Sequence, residues 1–101
     1  MFLTRTLEYT PTGSEELQSI TVSIGAPEPD PAPGGDFRVL VEITGFATPY
    51  TKYFHGVDPL QALMMGLWIV PDLVQSLAGK GSRVTWLGSD ELGFRYPAPH
   101  E

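Results

Sequence analysis

Apolar and polar residues alternate along much of this chain, and a two-residue period is typical of β-strands that bury one face. In the first segment Leu3, Leu7 and Tyr9 fall on one side, and polar residues fall on the other. The strands predicted from alternation, or from aromatic and β-branched content, are Phe2–Tyr9, Leu17–Ile24, Phe37–Phe46, Tyr50–His55 and Arg83–Leu87. A Pro-Gly turn within residues 11–16 separates the first two strands, so we expect them to pair as an antiparallel hairpin.

A second period, with apolar residues three and four apart, predicts one long helix over Pro59–Ala78. Its apolar stripe consists of Leu60, Leu63, Met64, Leu67, Val70, Val74 and Leu77. Asp58 is a typical N-cap, Pro59 stands where a missing N–H costs nothing, and Gly79 favours a stop. Pro71 removes one backbone hydrogen bond within the stripe. Because the stripe keeps its phase beyond Pro71, we expect one kinked helix rather than two separate ones.

Together these elements predict a single α+β domain over residues 1–101. It consists of an antiparallel sheet of four or five strands with the Pro71-kinked helix packed on one face, in the order β-β-β-β-α-β. The predicted core contains Ile20, Val22, Val39, Val41, Ile43, Leu63, Leu67, Val70, Val74 and Val84.

Two segments fall outside this pattern. Residues 26–36, with proline at alternate positions from Pro27 to Pro33, are predicted to form a proline-rich surface loop. This loop is either a stiff connector or a recognition segment, and the connector is favoured. Residues 88–101 are predicted to form a C-terminal tail rich in Gly and Pro, whose Leu92, Phe94 and Tyr96 can fold back onto the domain.

Charge and composition narrow the classes of function. A net charge of −6 and a pI near 4.7 argue against nucleic-acid binding, which needs a basic face, and against binding to anionic membranes. The chain has no cysteine, which excludes disulfides, thiol catalysis and cysteine-based zinc sites. The first charge, at Arg5, comes too early for a signal peptide, and no apolar run is predicted to be long enough to span a bilayer. We therefore expect a cytoplasmic protein.

The sequence offers little chemistry. It contains no nucleophile motif, metal-ligand spacing or phosphate-binding loop, so we predict no catalytic residue, no cofactor and no metal site. His55 and Asp58 could form an acid–base dyad, but a lone histidine among aromatic residues is more often structural, and Asp58 is better explained as a helix cap. His100, beside the C-terminal residue, suggests no site. We therefore expect a protein that is not an enzyme.

Two functional classes remain. The first is a non-catalytic interaction module of the immunity or antitoxin type, in which this acidic protein binds a basic protein. Its candidate contact residues are Glu28, Asp30, Asp36 and Trp68, the tryptophan being an apolar anchor on the helix away from the main stripe. Alternatively, the acidic residues only make the surface soluble. Trp68 could likewise be covered by the C-terminal tail and not by a partner.

The second class is a small-molecule binder with an aromatic pocket between the sheet and the helix. Its candidate lining is Tyr50, Tyr53, His55 and Trp86, and the simpler alternative is that these side chains belong to an ordinary aromatic core. Formation of a homodimer through the helix or an exposed edge strand is compatible with either class.

Four short motifs support a family resemblance. They are Ile24-Gly25-Ala26-Pro27, Val41-Glu42-Ile43-Thr44-Gly45, Gly56-Val57-Asp58-Pro59-Leu60-Gln61-Ala62-Leu63 and Gly93-Phe94. In their order and spacing they resemble a group of small uncharacterised bacterial proteins that are known only as a domain of unknown function. The resemblance implies a bacterial origin and an α+β fold, and it brings no activity and no catalytic residues.

Overall fold

The computed structural model describes residues 2–32, 34 and 36–94, and within them six strands and one helix. In chain order these elements are β1 (Phe2–Thr10), β2 (Gln18–Gly25), β3 (Glu28–Pro29), β4 (Phe37–Thr44), β5 (Tyr50–Gly56), α1 (Pro59–Ala78) and β6 (Arg83–Thr85). The predictions made for Tyr96 and His100 lie outside the described residues. The predicted α+β class is confirmed, and the predicted strands and helix all occur within one or two residues of their expected bounds.

All the strands pair antiparallel in one sheet, in which the long strands run β5-β4-β2-β1 with β6 at the far edge. The predicted hairpin of β1 and β2 is confirmed, with Leu7 opposite Ile20. β4 lies between β2 and β5, and its Val41 is opposite Ile24 on one side and Lys52 on the other. Because facing residues share a side of a sheet, this register decides which side chains meet the helix.

The proline-rich segment is only partly a loop. Glu28 pairs with Arg38 of β4, so β3 continues the line of β2 along the same edge of β4. Between the Ile24–Val41 and Glu28–Arg38 pairs, β2 and β3 advance by four residues while β4 advances by three, which is the count of a β-bulge. The expectation of a surface loop throughout 26–36 was therefore wrong at residues 28–29. Pro29 is tolerated there because β3 is an edge strand, which can lack a ladder donor.

The helix ends follow the predicted chemistry. An Asp58 carboxylate oxygen accepts a hydrogen bond from the Gln61 N–H at 2.8 Å, and Gln61 Oε1 accepts one from the Val57 N–H at 2.7 Å. These contacts satisfy two amides at the start of the helix. At the other end, the Gly79 N–H donates to the Gln75 carbonyl at 3.2 Å. α1 continues through Pro71 as one helix, as expected. The kink itself stays a prediction.

The core lies between the sheet and α1. Its buried apolar residues are Leu7, Ile20, Val22, Ile24, Val39, Val41, Ile43, Ala62, Val70, Val74, Ala78, Val84 and Leu92. Eight of the ten predicted core residues are among them, whereas Leu63 and Leu67 are only half-buried against the core. The burial of Leu92 confirms that the start of the C-terminal tail folds back onto the domain.

The buried face of α1 differs from the predicted stripe. The residues that it buries are Ala62, Gly66, Val70, Val74 and Ala78, whereas Leu60 and Met64 of the predicted stripe are exposed. A Cβ added at Gly66 would lie 2.8 Å from Val39 Cγ2, so the helix backbone is close to β4 at this point. Small residues on the buried face of α1 permit this close approach. The large side chains of Leu60 and Met64 then lie away from the sheet.

α1 is also long and apolar enough to cross a membrane by length and composition, and within the described residues it is the one helix that meets both conditions. The expectation that no apolar run is long enough was therefore too strict. The same properties occur in core helices of soluble proteins, and α1 packs against β4 and β5.

Candidate functional site

A row of large apolar side chains lies on the surface of α1. Leu60 is 65% exposed, Met64 59% and Trp68 60%, and their four-residue spacing places them along one side of the helix. Met65 is 49% exposed next to them. We call Leu60, Met64, Met65 and Trp68 the outer row of α1. Isolated exposed apolar residues are ordinary, but several neighbouring ones mark a surface that another molecule can cover.

The charges around the outer row are acidic. No Lys or Arg occurs between Lys52 and Lys80, whereas Asp58 caps α1 and Asp72 follows Trp68 by one helical turn. Two further carboxylates, Asp90 and Glu91, line a shallow groove of about 190 Å³ with Pro71 and Gln75 of the helix. Arg83 lies 3.1 Å from Asp90 and offsets its charge, so among the described residues the acidic side chains nearest the outer row are Asp58, Asp72 and Glu91.

The opposite face of the sheet holds a cluster of charged and aromatic side chains. Leu40 faces Tyr53 and Arg38 faces His55 in the register of β4 and β5, on the side away from α1. Arg38 Nε donates to a Glu28 carboxylate oxygen at 2.9 Å, and the guanidinium lies 3.9 Å from the centre of the Tyr53 ring. Such stacking and pairing hold the Arg38 side chain in one position.

The proline-rich segment is fastened to the same cluster. Asp30 Oδ2 lies 2.9 Å from His55 Nε2, and Asp30 Oδ1 accepts a hydrogen bond from the Ala32 N–H at 2.9 Å. The Asp30 N–H donates in turn to the Asp36 carbonyl at 2.8 Å. His55 thus pairs with Asp30, while Asp58 caps the helix, so the suggested His55–Asp58 dyad is not formed. The structural role favoured for His55 accounts for its geometry.

The structure separates the four acidic and apolar candidates for partner binding. Glu28 and Asp30 lie on the side of the sheet away from α1, where Arg38 and His55 partner them, and Asp36 is exposed. Trp68 lies on the helix, across the sheet. A carboxylate already paired within the protein offers less charge to a partner, so the proline-rich segment is a weaker acidic surface than its composition predicts.

The four candidates for a ligand pocket are also separated. Tyr50 faces Ile43 on the helix side of the sheet, whereas Tyr53 and His55 are on the other side. Trp86 follows β6 at the far edge, where it stacks on Arg5. Sequence reasoning grouped side chains that strand alternation places on opposite faces, and no single pocket within the described residues contains all four.

Arg5 was missed as a functional candidate. Its guanidinium lies close to two aromatic rings, 3.9 Å from the centre of Trp86 and 4.9 Å from the centre of Phe94. Arg5 Nη1 donates to the Leu92 carbonyl at 3.1 Å and to the Gly93 carbonyl at 2.9 Å, which anchors the segment after β6. The available signal was its position, because Arg5 shares the inward register of β1 with Leu3 and Leu7.

The described residues contain no group of three or more His, Asp or Glu side chains arranged to hold a metal ion.

Residues 3–96, nearly the whole chain, match the family model of a domain of unknown function, DUF6968. The chain belongs to this family. The suspected relationship to a domain of unknown function is thereby confirmed, and the match extends from β1 past the buried Leu92. No solved structure matches the chain. Membership of DUF6968 assigns no partner, ligand or reaction, so function has to be argued from the surface of this chain.

Proposed function

We propose that this protein is a non-catalytic interaction module that binds a basic protein through the outer row of α1. The observation that carries the proposal is the exposure of Leu60, Met64 and Trp68 along one side of a helix whose other side forms the core. Covering such side chains removes apolar surface from water, and tryptophan and methionine are enriched at protein interfaces. Trp68 is the expected anchor.

Charge indicates what kind of protein this surface fits. The outer row is bordered by Asp58 and Asp72, with Glu91 nearby, and two copies of this surface would bring carboxylates together. Like charges placed face to face oppose association, whereas a basic rim on a partner would be attracted and would increase the association rate. The proposed partner therefore presents an apolar patch surrounded by Lys and Arg.

The acidic residues of the proline-rich segment have a supporting role in this proposal. Glu28 and Asp30 support the position of this segment through Arg38 and His55, and they lie across the sheet from Trp68. We therefore assign the direct contacts to α1, and we expect neutralisation of the segment to affect binding less than loss of the helix anchor.

The experiment uses the full chain as bait in a lysate of the organism that encodes it, followed by affinity measurement with the purified captured protein. Three variants are compared with the unaltered chain: Met64→Ser, Trp68→Ser and the control Leu17→Ser. Leu17 is 66% exposed and lies before β2, outside α1, so it loses a similar exposed apolar side chain. Thermal unfolding of each variant checks that the fold is retained.

We expect a stoichiometric basic protein whose affinity falls about tenfold or more in Trp68→Ser and is unchanged in Leu17→Ser. The affinity should also decrease as salt rises, since salt screens the charges of an exposed rim. Equal binding by Trp68→Ser and the unaltered chain would refute the assignment to α1. A failure to retain any protein in stoichiometric amount would refute the proposed function.

A further inference from the structure

A second concave surface lies beside α1, on the helix side of β1 and β2. This groove has a volume of about 310 Å³ and is lined by Leu3, Thr4, Arg5, Val22, Ile24, Leu67, Gly93 and Phe94. Its walls are mainly apolar, and its volume lies at the lower end of the range of ligand pockets, which is roughly 300–1,000 Å³. We call it the Arg5 groove.

Among the described residues that line this groove, Arg5 is the one charged side chain. Its guanidinium lies close to the Trp86 and Phe94 rings, and its Nη1 donates to the Leu92 and Gly93 carbonyls. A guanidinium has five N–H donors, and among the described residues no hydrogen bond is made by Arg5 Nε or Nη2. The edge of the guanidinium therefore keeps donors for a further acceptor.

The charge of Arg5 has no carboxylate counterpart within the described residues, although the chain carries twice as many acidic as basic residues. Arg38 and Arg83, by contrast, each pair with a carboxylate. The carbonyl groups that accept from Arg5 carry no net charge. A cation stacked beside aromatic rings, in an apolar groove of an acidic protein, is complementary to a small anion with an apolar part.

We propose that the Arg5 groove binds a small amphipathic carboxylate. The carboxylate accepts hydrogen bonds from the free edge of Arg5, and its hydrocarbon part lies against Leu3, Ile24 and Leu67. Stacking by Trp86 holds the guanidinium in place before the ligand arrives, which reduces the loss of side-chain freedom on binding. This site is distinct from the outer row of α1 and does not depend on a protein partner.

The experiment titrates octanoate into the full-length protein and follows backbone amide shifts by NMR. Octan-1-ol, which has the same hydrocarbon chain without the charge, is the comparison ligand. Arg5→Gln removes the cation. Because Arg5 also anchors the segment after β6, a second variant, Leu3→Asp, adds a negative charge at an exposed position of the groove. Its matched control is Leu17→Asp, since Leu3 and Leu17 are each 66% exposed and Leu17 is outside the groove.

We expect saturable shifts at Thr4 and Gly93 with octanoate, and weaker binding of octan-1-ol. Arg5→Gln and Leu3→Asp should each weaken octanoate binding about tenfold or more, because a hydrogen bond to a charged group is among the stronger polar contacts. Leu17→Asp should leave the dissociation constant within about twofold, since its charge is outside the groove and is screened by solvent.

Four results would overturn the proposal. Absence of saturable binding would leave Arg5 with only its anchoring role for the segment after β6. Equal affinity for octanoate and octan-1-ol, or equal octanoate binding by Leu3→Asp and Leu17→Asp, would show that the groove does not select a carboxylate. Groove shifts that follow protein concentration instead of octanoate would assign the groove to contact with a second copy.

Discussion

Replacement of Gly66 by alanine tests how closely α1 approaches the sheet. The added methyl group would lie 2.8 Å from Val39 Cγ2 and 3.5 Å from Val41 Cγ2, and only the first distance is too short. In a helix interior, alanine is favoured over glycine by about 1 kcal/mol. Overpacking a core costs about 1–3 kcal/mol. Since Val39 is fully buried and has little space to move, we expect Gly66→Ala to lower the free energy of unfolding by about 1 kcal/mol.

The decisive comparison is a double-mutant cycle with Val39→Ala, which removes the clashing methyl. Val39→Ala alone should lower the free energy of unfolding by about 2–3 kcal/mol, because two buried methyl groups are lost. In that background Gly66→Ala should become stabilising by about 1 kcal/mol, as the helix preference is then unopposed. The two substitutions should therefore couple by about 2 kcal/mol, well above the deviation from additivity of about 0.3–0.5 kcal/mol found for independent sites.

Urea unfolding followed by far-UV circular dichroism measures each free energy by linear extrapolation. Stabilisation by Gly66→Ala in the unaltered chain, or effects of the two substitutions that simply add, would show that α1 is not as close to Val39 as described.

Two further stability predictions concern the ends of the helix. Gly56→Ala should prevent stable folding, because its Cβ would lie 2.3 Å from the backbone nitrogen of Ala62, which cannot move aside as a side chain can. Gly79→Ala has open space around it, but its φ of 84° and ψ of 171° suit only glycine, so it should cost about 1–3 kcal/mol. Equal unfolding midpoints for these two variants would refute this account. Asp58→Ala should cost about 1 kcal/mol through loss of the cap on Gln61, whereas Asp58→Asn should be nearly neutral, since asparagine caps as well; equal losses in urea unfolding would contradict the capping role.

The elements that sequence could predict are those with a local cause. Strand alternation located β1, β2 and β4, and the Asp58 cap with Gly79 located the ends of α1. β3 escaped prediction because proline is a poor sheet residue, and its pairing depends on β4, eight residues further along the chain. The bulge after β2 inserts one extra residue, and β3 then continues along the same edge of β4.

The candidate sites were less predictable because they depend on contacts between distant residues. Helical periodicity put Trp68 outside the core, and it is 60% exposed, although it shares one side of the helix with Leu60 and Met64 of the predicted stripe. The pairing of Asp30 with His55, and of Arg5 with Trp86, joins residues that only the sheet brings together. Alternation did contain enough information to separate Tyr50 from Tyr53, since residues an odd number apart on one strand face opposite sides.

The two faces of α1 explain why its largest apolar residues were assigned to the wrong side. Periodicity weighs large apolar residues most, and it therefore placed Leu60 and Met64 on the apolar stripe of the helix. The helix instead buries Ala62 and Gly66, whose small size is required by the proximity of Val39. A helix that served only the sheet would turn its largest side chains inward, so their outward position follows if α1 contacts the sheet on one face and a partner on the other. Met64→Ser should accordingly weaken the proposed complex while leaving urea unfolding nearly unchanged, and Gly66→Ala should destabilise the fold.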